Sequence, residues 1–350
     1  MPADYQVGRV LPQLTSRRSE RNVNSPVDAR AAALAAWLAQ QDLADAQVSL
    51  LAADASFRRY FRARRPDGQS FVVMDAPPAK ESCEAFVRVA ELLAQADIPA
   101  PRVLVADEVA GFLLLTDLGD ESYLQALADP ARAEILMGAA IDLLVRWQMA
   151  SRPGVLPPYG EALLSRELEL FPEWYVGVHL GQTPDARWWA RWRSLSRRLI
   201  DNALEQPQVF VHRDYMPRNL MVHAGGPAVI DFQDAVCGPV SYDVVSLFRD
   251  AFLSWEEPRV RQWMTRYRRS AAQAGLALPA AATFAQQADL MGVQRHLKVL
   301  GIFARLHYRD HKSHYLAETP RFLRYLHEAE RRQPALAELA PLLAALPAPR

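Results

Sequence analysis

Residues 209–233 read VFVHRDYMPRNLMVHAGGPAVIDFQ, in which two apolar runs enclose one strongly polar segment. The runs VFV at 209–211 and AVI at 228–230 predict two short buried strands. Between them, HRDYMPRN at 212–219 gathers acidic, amide and basic side chains. These polar residues are therefore expected on a loop that a rigid scaffold holds in place.

This loop carries the groups that phosphoryl transfer requires. The reaction needs metal ions that bridge the phosphates and an acid that holds the attacking hydroxyl, with little covalent participation by the protein. Asp214 is predicted to accept or orient the hydroxyl proton, and Asn219 and Asp231 are predicted to offer oxygens to Mg²⁺. His212 would brace the loop through hydrogen bonds, and Arg218 lies close enough in sequence to meet a phosphate or substrate oxygen.

Upstream of this loop, the sequence predicts a small sheet. Five stretches have strand character, and the turn residues PDG join the second to the third: QVSLL, ASFRRYFRAR, QSFVVMDAP, RVLVAD and GFLLLTDLG. A helix, SCEAFVRVAELLAQA, interrupts the sheet after its third strand. From Ser122 onward, nearly everything except the two strands near 209–232 is predicted to be helical.

The chain is therefore expected to form two lobes after a tail. Residues 1–27 are polar and aperiodic and are assigned to an N-terminal tail. Residues 28–118 are assigned to a small N-terminal lobe with an antiparallel sheet and a helix, and residues 119–350 to a larger, mainly helical lobe that carries the polar loop. The predicted fold class is α+β.

The motifs resemble those of a known family. HRDYMPRN, followed by VIDFQDA at 229–235, resembles the catalytic and metal-binding loops of the aminoglycoside phosphotransferase and choline kinase superfamily. Segments such as ASFRRYFR, FPEWY and QRHLKVLGIFARL are similar to those of the bacterial anomeric N-acetylmuramate/N-acetylglucosamine kinases of cell-wall recycling. The resemblance implies a two-lobe protein-kinase-like fold that binds ATP and Mg²⁺ between its lobes. It also implies phosphoryl transfer from ATP to the C1 hydroxyl of an amino sugar.

The same resemblance assigns nucleotide-binding residues in the N-terminal lobe. The loop that covers the phosphates falls near residues 55–58, and the hinge that contacts adenine falls at residues 116–118. The residues expected to bind the nucleotide are Ser56, Phe57, Arg58, Lys80, Thr116, Asp117 and Leu118.

The third strand departs from the protein kinase pattern. Protein kinases place a lysine there, which holds the α and β phosphates and pairs with a glutamate on the next helix. Met74 stands at the comparable position, and only three of the forty basic residues of the chain are lysines. The alternatives for the missing cation and for its acidic partner are Lys80, Arg58 or Arg59, and Glu81 or Glu84.

A basic stripe is predicted on a helix near residue 300. At about 100° per residue, its members fall within about an 80° arc, with an apolar face opposite: Arg295, Lys298, Arg305 and Arg309. No acidic residue lies between Asp289 and Asp310. The stripe favours an anionic ligand, such as the lactyl carboxylate of N-acetylmuramate or the phosphates of ATP; a solvated helix face is the alternative.

The segment FPEWY at 171–175 is a second candidate contact for the substrate. Trp174 would stack on a sugar and Glu173 would accept hydrogen bonds from hydroxyls, with ordinary packing as the alternative. The residues expected to bind substrate are therefore Glu173, Trp174, Arg295, Lys298 and Arg305. For Tyr242 and Asp243, a substrate contact and a structural tie to the polar loop both remain open.

Charge and cysteine content limit the class of partner. Forty basic residues balance forty acidic ones, so no overall field attracts nucleic acid or an anionic membrane. Cys83 and Cys237 are too few for a disulfide framework, and no apolar run reaches the roughly 18 residues of a membrane helix. The expectation is a cytoplasmic monomer whose partners are ATP and a small amino sugar.

Two other functions remain open. A kinase of the same fold could instead act on an aminoglycoside, choline or homoserine. For the cationic substrates among these, the binding site would need acidic or aromatic residues. A pseudokinase that binds nucleotide without turnover is the alternative of another class. Degenerate kinases usually lose the base or the metal ligands, whereas Asp214, Asn219 and Asp231 are all present.

Overall fold

The structure is a computed structural model that describes residues 26–53 and 57–344. Nearly all of the predicted tail, residues 1–25, lies outside the described residues. Ser56 and the rest of the segment 54–56 also lie outside them, so the expectation for Ser56 is not addressed.

An antiparallel sheet of five strands forms the N-terminal part. Its strands are β1 (Gln47–Ala53), β2 (Arg59–Arg64), β3 (Ser70–Asp75), β4 (Val103–Asp107) and β5 (Phe112–Thr116). Their order across the sheet is β1-β2-β3-β5-β4. Two helices accompany the sheet, α1 (Pro26–Ala39) and α2 (Glu84–Gln95). The predicted small sheet, with one helix after its third strand, is confirmed.

The two faces of the sheet pack against different partners, because successive residues of a strand point to opposite sides. Phe71 and Val73 of β3 pack in one cluster with Trp37 of α1. Val72 and Met74 pack in the large core that includes α2 and the C-terminal part. We call the side that carries Val72 and Met74 the cleft face of the sheet.

The C-terminal part is mainly helical, as predicted. Its α-helices are α3 (Tyr123–Ala126), α4 (Ala133–Met149), α5 (Glu161–Leu170), α6 (Ala186–Glu205), α7 (Tyr242–Phe248), α8 (Glu257–Gln273), α9 (Ala281–Tyr308), α10 (Thr319–Arg332) and α11 (Leu339–Ala344). Short 3₁₀ turns occur at Pro130–Arg132, Pro217–Asn219, Ser313–Glu318 and Pro334–Leu336. Within residues 26–53 and 57–344, no helix combines the length and the apolar character needed to cross a membrane.

Four short strands, rather than the two predicted, frame the polar loop. They are β6 (Gln208–Val211), β7 (Leu220–His223), β8 (Gly226–Val229) and β9 (Val236–Pro239). β6 pairs with β9 and β7 pairs with β8, both antiparallel. The prediction missed β7 and β9, since a strand of four residues leaves little room for a periodic pattern and β9 carries Gly238 and Pro239, residue types that are depleted in strands.

The linker between α2 and β4 is fastened to the C-terminal part. The backbone N–H of Val229 donates to the carbonyl of Pro99 at 2.8 Å. Arg146 Nη1 of α4 donates to the carbonyl of Asp97 at 2.7 Å. Because β4 follows this linker, the edge of the sheet that ends in β4 is tied to the helices.

α9 runs through the middle of the C-terminal part. Every residue from 288 to 301 is buried, which corrects the prediction of a helix with one basic and one apolar face. Gly301 permits the close packing of α9 on the end of α5, since a Cβ at Gly301 would lie only 2.4 Å from the carbonyl carbon of Leu170. Arg295 and Lys298 are therefore interior residues, not members of a surface stripe.

A π-helix, Phe171–His179, continues α5 and contains the FPEWY segment. The N–H of Leu180 donates to the carbonyl of Tyr175, five residues earlier, at 3.0 Å. Pro172 has no N–H and removes one α-helical hydrogen bond at the start of this segment. Glu173 and Trp174 thus project from a wider helix than an α-helix would provide.

Candidate active site

A buried carboxylate holds the polar loop between β6 and β7. The backbone N–H groups of His212 and Arg213 donate to the two oxygens of Asp243, at 2.6 and 3.0 Å. Asp243 lies in the first turn of α7 and is fully buried, and burial raises its pKa to about 7. Of the two alternatives for Asp243, the structure supports the tie between helix and loop.

His212 braces the loop from inside. Its Nε2 donates to the carbonyl of Ile230 at 3.1 Å, and its Nδ1 accepts from the N–H of Asp214 at 3.3 Å. Burial lowers the pKa of His212 to about 4, so the ring is neutral near pH 7. A neutral ring with one donor and one acceptor matches these two bonds and fixes the backbone on both sides of the site.

Two residues of the site have a backbone conformation that side chains rarely adopt. Arg213 has a φ of 77° and Asp231 a φ of 63°, both in the left-handed region. Such conformations cost free energy and persist where the surroundings impose them, often at functional sites. Here they turn the chain sharply at two places, just before Asp214 and at Asp231, shortly after the end of β8.

The structure brings Asp214, Asn219 and Asp231 together. Asn219 Nδ2 donates to the carbonyl of Asp214 at 2.9 Å and lies 3.5 Å from Asp231 Oδ2. The side chain of Asp214 is 45% exposed. The carboxylates of Asp214 and Asp231 therefore stand near each other, with the buried amide of Asn219 between their two chain segments.

The residues at this place fit a magnesium ion. Asn219 uses its Nδ2 for both contacts, with the carbonyl of Asp214 and with Oδ2 of Asp231, which leaves the carbonyl oxygen of the amide available to a cation. Mg²⁺ prefers oxygen ligands and is commonly held by one or two carboxylates together with substrate phosphates. Among the described residues, no group of three or more His, Cys, Asp or Glu side chains forms a complete metal cage. Asn219 and Asp231 therefore suit an ion that arrives with its nucleotide.

Arg218 lies beside this site. Its guanidinium carbon is 4.9 Å from the centre of the Phe252 ring. Asp231 is open to solvent on one side, but the protein packed around the rest of it, and then the charge of Asp214, raise its pKa. The positive charge of Arg218 opposes this rise. Arg218 is thus close enough to act on charges at the site.

Lys298 belongs to a buried ion cluster that the sequence did not predict. Its Nζ lies 2.9 Å from Oε1 of Glu167 and donates to the hydroxyl of Tyr242 at 3.1 Å. Glu167 also accepts hydrogen bonds from Arg213 and Tyr159. Although burial alone would raise it, the charges of Lys298 and Arg213 lower the pKa of Glu167 to about 2. The cluster joins α5, α7 and α9 to the polar loop.

One sequence signal pointed to Glu167. It lies on α5 next to Leu168 and three residues after Leu164, both buried, so it falls on the inward side of an amphipathic helix. A carboxylate on that side requires a buried cation as its partner.

Arg295 also lies beneath the polar loop. Only 2% of its side chain is exposed, and its Nη2 is 3.9 Å from Oδ1 of Asp214 and 3.9 Å from the sulfur of Met216. Its buried Nη1 has no hydrogen-bond partner among the described residues. Burial raises the pKa of Asp250 to about 6, and the charge of Arg295 opposes this rise. Arg295 is the member of the predicted stripe that contacts the polar loop most directly.

The other predicted substrate contacts lie farther along α9. Seven residues separate Lys298 from Arg305, which corresponds to about 10 Å along the helix axis. Arg305 is partly buried, and burial lowers its pKa, whereas the charge of Glu173 raises it. Trp174 packs against the core with part of its surface exposed. Arg305 and Glu173 therefore lie within electrostatic range of each other, two helical turns from Lys298, and Trp174 directly follows Glu173 in the π-helix.

At the other side of the cleft, Phe57, Arg58 and Glu81 are connected. Arg58 Nη2 is 2.9 Å from Oε2 of Glu81, and the backbone N–H of Phe57 donates to Oε1 of Glu81 at 3.4 Å. The Nζ of Lys80 lies 5.5 Å from the centre of the Phe57 ring. Glu81 is thus the acidic residue that meets the start of β2.

The predicted hinge is held by an arginine that the sequence did not single out. Arg62 of β2 is 2.7 Å from Oδ2 of Asp117 and also contacts Asp120. Although burial opposes it, the hydrogen bond from Arg62 lowers the pKa of Asp117. Thr116 Oγ1 accepts from the N–H of Arg102 at 2.9 Å, and Leu118 is the last of the three predicted hinge residues. The sequence signal for Arg62 was the alternation of side chains along β2, which places Arg62 on the same face of the sheet as Tyr60.

Comparisons with known proteins agree with this architecture. A family model described as phosphotransferase enzyme family matches residues 47–281. An ethanolamine kinase of Plasmodium vivax is similar in structure, with a TM-score of 0.61 at 9% identity, covering 88% of this chain and 90% of that one. That identity supports a common fold and nothing finer.

Two relatives are much closer in sequence. The N-acetylmuramate/N-acetylglucosamine kinase of Pseudomonas aeruginosa is 55% identical over 295 residues, 84% of this chain and 87% of that protein. The protein of the same name from Pseudomonas putida is 50% identical over 333 residues, 92% of this chain and 98% of the relative. With the polar loop, the sheet and the helical part as described, this chain belongs to the phosphotransferase enzyme family, alongside relatives named N-acetylmuramate/N-acetylglucosamine kinases.

Proposed function

We propose that this protein transfers the γ-phosphoryl group of ATP to the C1 hydroxyl of N-acetylmuramate and of N-acetylglucosamine. The observation that carries the proposal is the meeting of Asp214, Asn219 and Asp231 at one place in the cleft. Relatives that are about half identical to this chain and carry the names of these sugars support the substrate class. The role in peptidoglycan recycling is part of the same proposal.

Asp214 is the proposed acceptor or orienting group for the hydroxyl proton. The sugar C1 oxygen would form a bond to the γ-phosphorus while the bond from that phosphorus to the β–γ bridging oxygen breaks and ADP leaves. His212 and Asp243 hold the backbone around Asp214, so its carboxylate is fixed before the sugar arrives. Arg218 would meet a phosphate or substrate oxygen.

Asn219 and Asp231 are the proposed ligands of Mg²⁺. These two residues would hold the metal, which when bound would supply positive charge to offset the negative charge of the transferred group. Asn219 positions its amide through the bond to the carbonyl of Asp214, so the ligand and the loop that carries Asp214 are fixed together.

The substrate contacts are proposed from burial and charge. Arg295 suits the lactyl carboxylate of N-acetylmuramate, because its Nη2 lies near Asp214 and its Nη1 has no hydrogen-bond partner among the described residues. Lys298 is held by Glu167 and Tyr242 and would act mainly by supporting the loop. Glu173, Trp174 and Arg305 remain the proposed contacts for a more distant part of the substrate.

The remaining assignments belong to the same proposal. Residues 28–118 would bind the nucleotide, with Thr116, Asp117 and Leu118 at adenine and Phe57, Arg58 and Lys80 near the phosphates. Residues 119–350 would bind the metal and the sugar. A cytoplasmic monomer is proposed, because ATP is available there and no partner is needed to complete the site.

A kinetic panel tests the proposal. Purified protein is assayed for ADP release and for the sugar product with N-acetylmuramate, N-acetylglucosamine, an aminoglycoside, choline and homoserine, with and without Mg²⁺. We expect Mg²⁺-dependent turnover of the two amino sugars at a much higher kcat/KM than of the other acceptors. Better turnover of the aminoglycoside would overturn the substrate class, and nucleotide binding without turnover of any acceptor would favour the pseudokinase.

A further inference from the structure

We infer that Arg58, held by Glu81, binds the nucleotide phosphates in place of the lysine that protein kinases carry on the third strand. The inference rests on the proposed function for the identity of the nucleotide. It assigns the phosphate-binding cation to the entry of β2, one strand away from its usual place.

The register of the sheet identifies the position that lacks a lysine. Tyr60 pairs with Met74, and Arg62 pairs with Val72, across β2 and β3. Directly paired residues share a face of the sheet, so all four side chains lie on the cleft face. Met74 is completely buried there and carries no charge. A nucleotide beneath β3 therefore finds no cation on that strand.

Arg59 is unsuited to replace the lysine. It pairs with Asp75 in the register, on the opposite face of the sheet from Met74. Its guanidinium binds the carboxylate of Asp75, which is fully buried and is also contacted by Arg30 of α1. Arg59 thus belongs to the outer side of the sheet.

Lys80 is a weaker candidate than Arg58. It lies beyond the end of β3, and its ammonium group stands near the face of the Phe57 ring. No acidic partner holds it among the contacts of the described residues. A lysine that is not held in one place loses conformational freedom on binding and provides less orientation.

Arg58 has the features that a phosphate-binding cation needs. Its side chain is 11% exposed and that of Glu81 is 18% exposed, so the pair at 2.9 Å is shielded from most solvent screening. Glu81 also accepts from the backbone N–H of Phe57, so one carboxylate fixes both the guanidinium and the chain beside it. The pair resembles the lysine–glutamate pair of protein kinases, with the acid just before α2 and the cation at the start of β2 instead of on the third strand.

Tyr60 connects this pair to the metal-binding side of the cleft. Burial raises the pKa of Tyr60, and the charges of Asp231, Arg58 and Glu81 all act on it as well. One phenol therefore lies within electrostatic range of both Arg58 and Asp231. Phosphates that reach the metal at Asp231 pass near the guanidinium of Arg58.

The length and shape of arginine explain how a cation at the start of β2 can take the place of one on β3. Neighbouring strands are about 4.8 Å apart, so a cation on β2 must reach sideways to the place below β3. The guanidinium is planar and presents paired donors that match two phosphate oxygens, at the end of a long side chain.

The experiment measures nucleotide binding, which needs no sugar. Arg58→Ala, Lys80→Ala and the matched control Arg88→Ala, an exposed arginine of α2, are compared for the Kd of Mg·ATP and of adenosine. We expect Arg58→Ala to weaken Mg·ATP binding by about tenfold to hundredfold and to leave adenosine binding unchanged, since charged hydrogen bonds to phosphate are lost. Arg88→Ala should match the wild type. If Arg58→Ala binds Mg·ATP as the wild type does, or if Lys80→Ala causes the larger loss, the inference is wrong.

Two further variants test whether Arg58 takes the place of a cation on β3. Of these, Glu81→Gln remains informative if Arg58→Ala folds poorly. Glu81→Gln should weaken Mg·ATP binding while keeping adenosine binding, because Arg58 loses its charged anchor. Adding Met74→Lys to Arg58→Ala should recover at least part of the lost affinity for Mg·ATP. A folded double variant without any recovery would contradict the claim that both positions serve the same phosphates. Absence of sugar phosphorylation by the wild-type protein would refute the proposed function and leave these binding results intact.

Discussion

Asp214 is the proposed acceptor of the hydroxyl proton, and its replacement tests the chemical step separately from nucleotide binding. Asp214→Asn keeps the shape of the side chain and removes the charge that would accept the hydroxyl proton. We expect kcat with N-acetylmuramate to fall by at least about a hundredfold, since a positioned acid–base group contributes typically 10²–10⁴-fold. The rise in Tm on addition of Mg·ATP should persist. Turnover close to that of the wild type would remove Asp214 from this role.

Asp231 is expected to govern nucleotide binding through the metal. Asp231→Ala should abolish most of the Mg²⁺-dependent stabilisation by ATP, which amounts to about 2.7 kcal/mol at a ligand concentration of 100 Kd. The measurement is Tm with ATP in the presence and absence of Mg²⁺. Asp234→Asn, an exposed carboxylate three residues later, serves as the control. An unchanged Mg·ATP shift in Asp231→Ala would mean that other groups hold the metal.

Arg295 and Lys298 are expected to differ. Arg295→Ala should lower kcat/KM for N-acetylmuramate about tenfold to hundredfold more than for N-acetylglucosamine, which has no carboxylate for the guanidinium to bind. Lys298→Met should lower both values together, because it leaves Glu167 buried without one of its cations. Equal losses on both sugars in Arg295→Ala would assign Arg295 to support of the loop.

At the scale of elements, local patterns predicted most of the fold. The five strands and α2 were predicted because each carries its own signal of alternation or helical spacing. β9 was missed because pairing with β6, which is distant in the sequence, makes it a strand. β7 was missed because the hairpin that it forms with the adjacent β8 has only four residues in each strand. The stripe was predicted on a helix with one basic and one apolar face, whereas Arg295 and Lys298 are buried by partners on α5 and on the polar loop.

The candidate site was predictable to the same extent. His212, Asp214, Asn219 and Asp231 lie close in sequence, and the structure places them around one point. Glu167 and Arg62 meet their charged partners Arg213 and Asp117 far away in the sequence, and no spacing rule relates these pairs. Periodicity could place Glu167 and Arg62 on one face of α5 and of β2, but only the packing of whole elements shows which partners they meet.

Gly301 offers a test of the packing of α9 on α5. Gly301→Ala should destabilise the protein by about 1–3 kcal/mol, because its new methyl group meets the backbone of Leu170. Gly292→Ala on the same helix is the matched control, since its Cβ would be 3.4 Å from a methyl group of Val245. Urea denaturation of both variants provides the measurement. If Gly301→Ala were as stable as Gly292→Ala, the close approach of the two elements would be refuted.

At the scale of the whole molecule, Glu167 links stability to pH. Its pKa is about 2 in the folded protein and 4.5 in an unperturbed chain. A carboxylate with a lowered pKa stabilises the fold above pH 4.5 and loses this contribution as pH falls toward 2. The loss is on the order of 3 kcal/mol across this window, given about 1.4 kcal/mol per pH unit.

The measurement compares the free energy of unfolding of the wild type and of Glu167→Gln between pH 5 and pH 2. We expect the variant to be less stable at pH 5, because Arg213 and Lys298 lose their carboxylate, and to show a shallower decline on acidification. Parallel declines in the two proteins would show that Glu167 is not the group that titrates.

The fastening of the α2–β4 linker has a consequence for motion of the cleft. A plate that is held along one edge can swing only about that edge, and the displacement of any point grows with its distance from the pivot. The bonds at Pro99 and Asp97 hold the β4 edge, whereas β2 lies beyond β5 and β3, about 10 Å farther from the pivot than Thr116 on β5. A small rotation about the β4 edge would therefore displace Arg58, two strands farther out, more than it displaces Thr116. The part of the cleft where Arg58 lies would open and close, while the proposed adenine-binding residues would stay near the pivot.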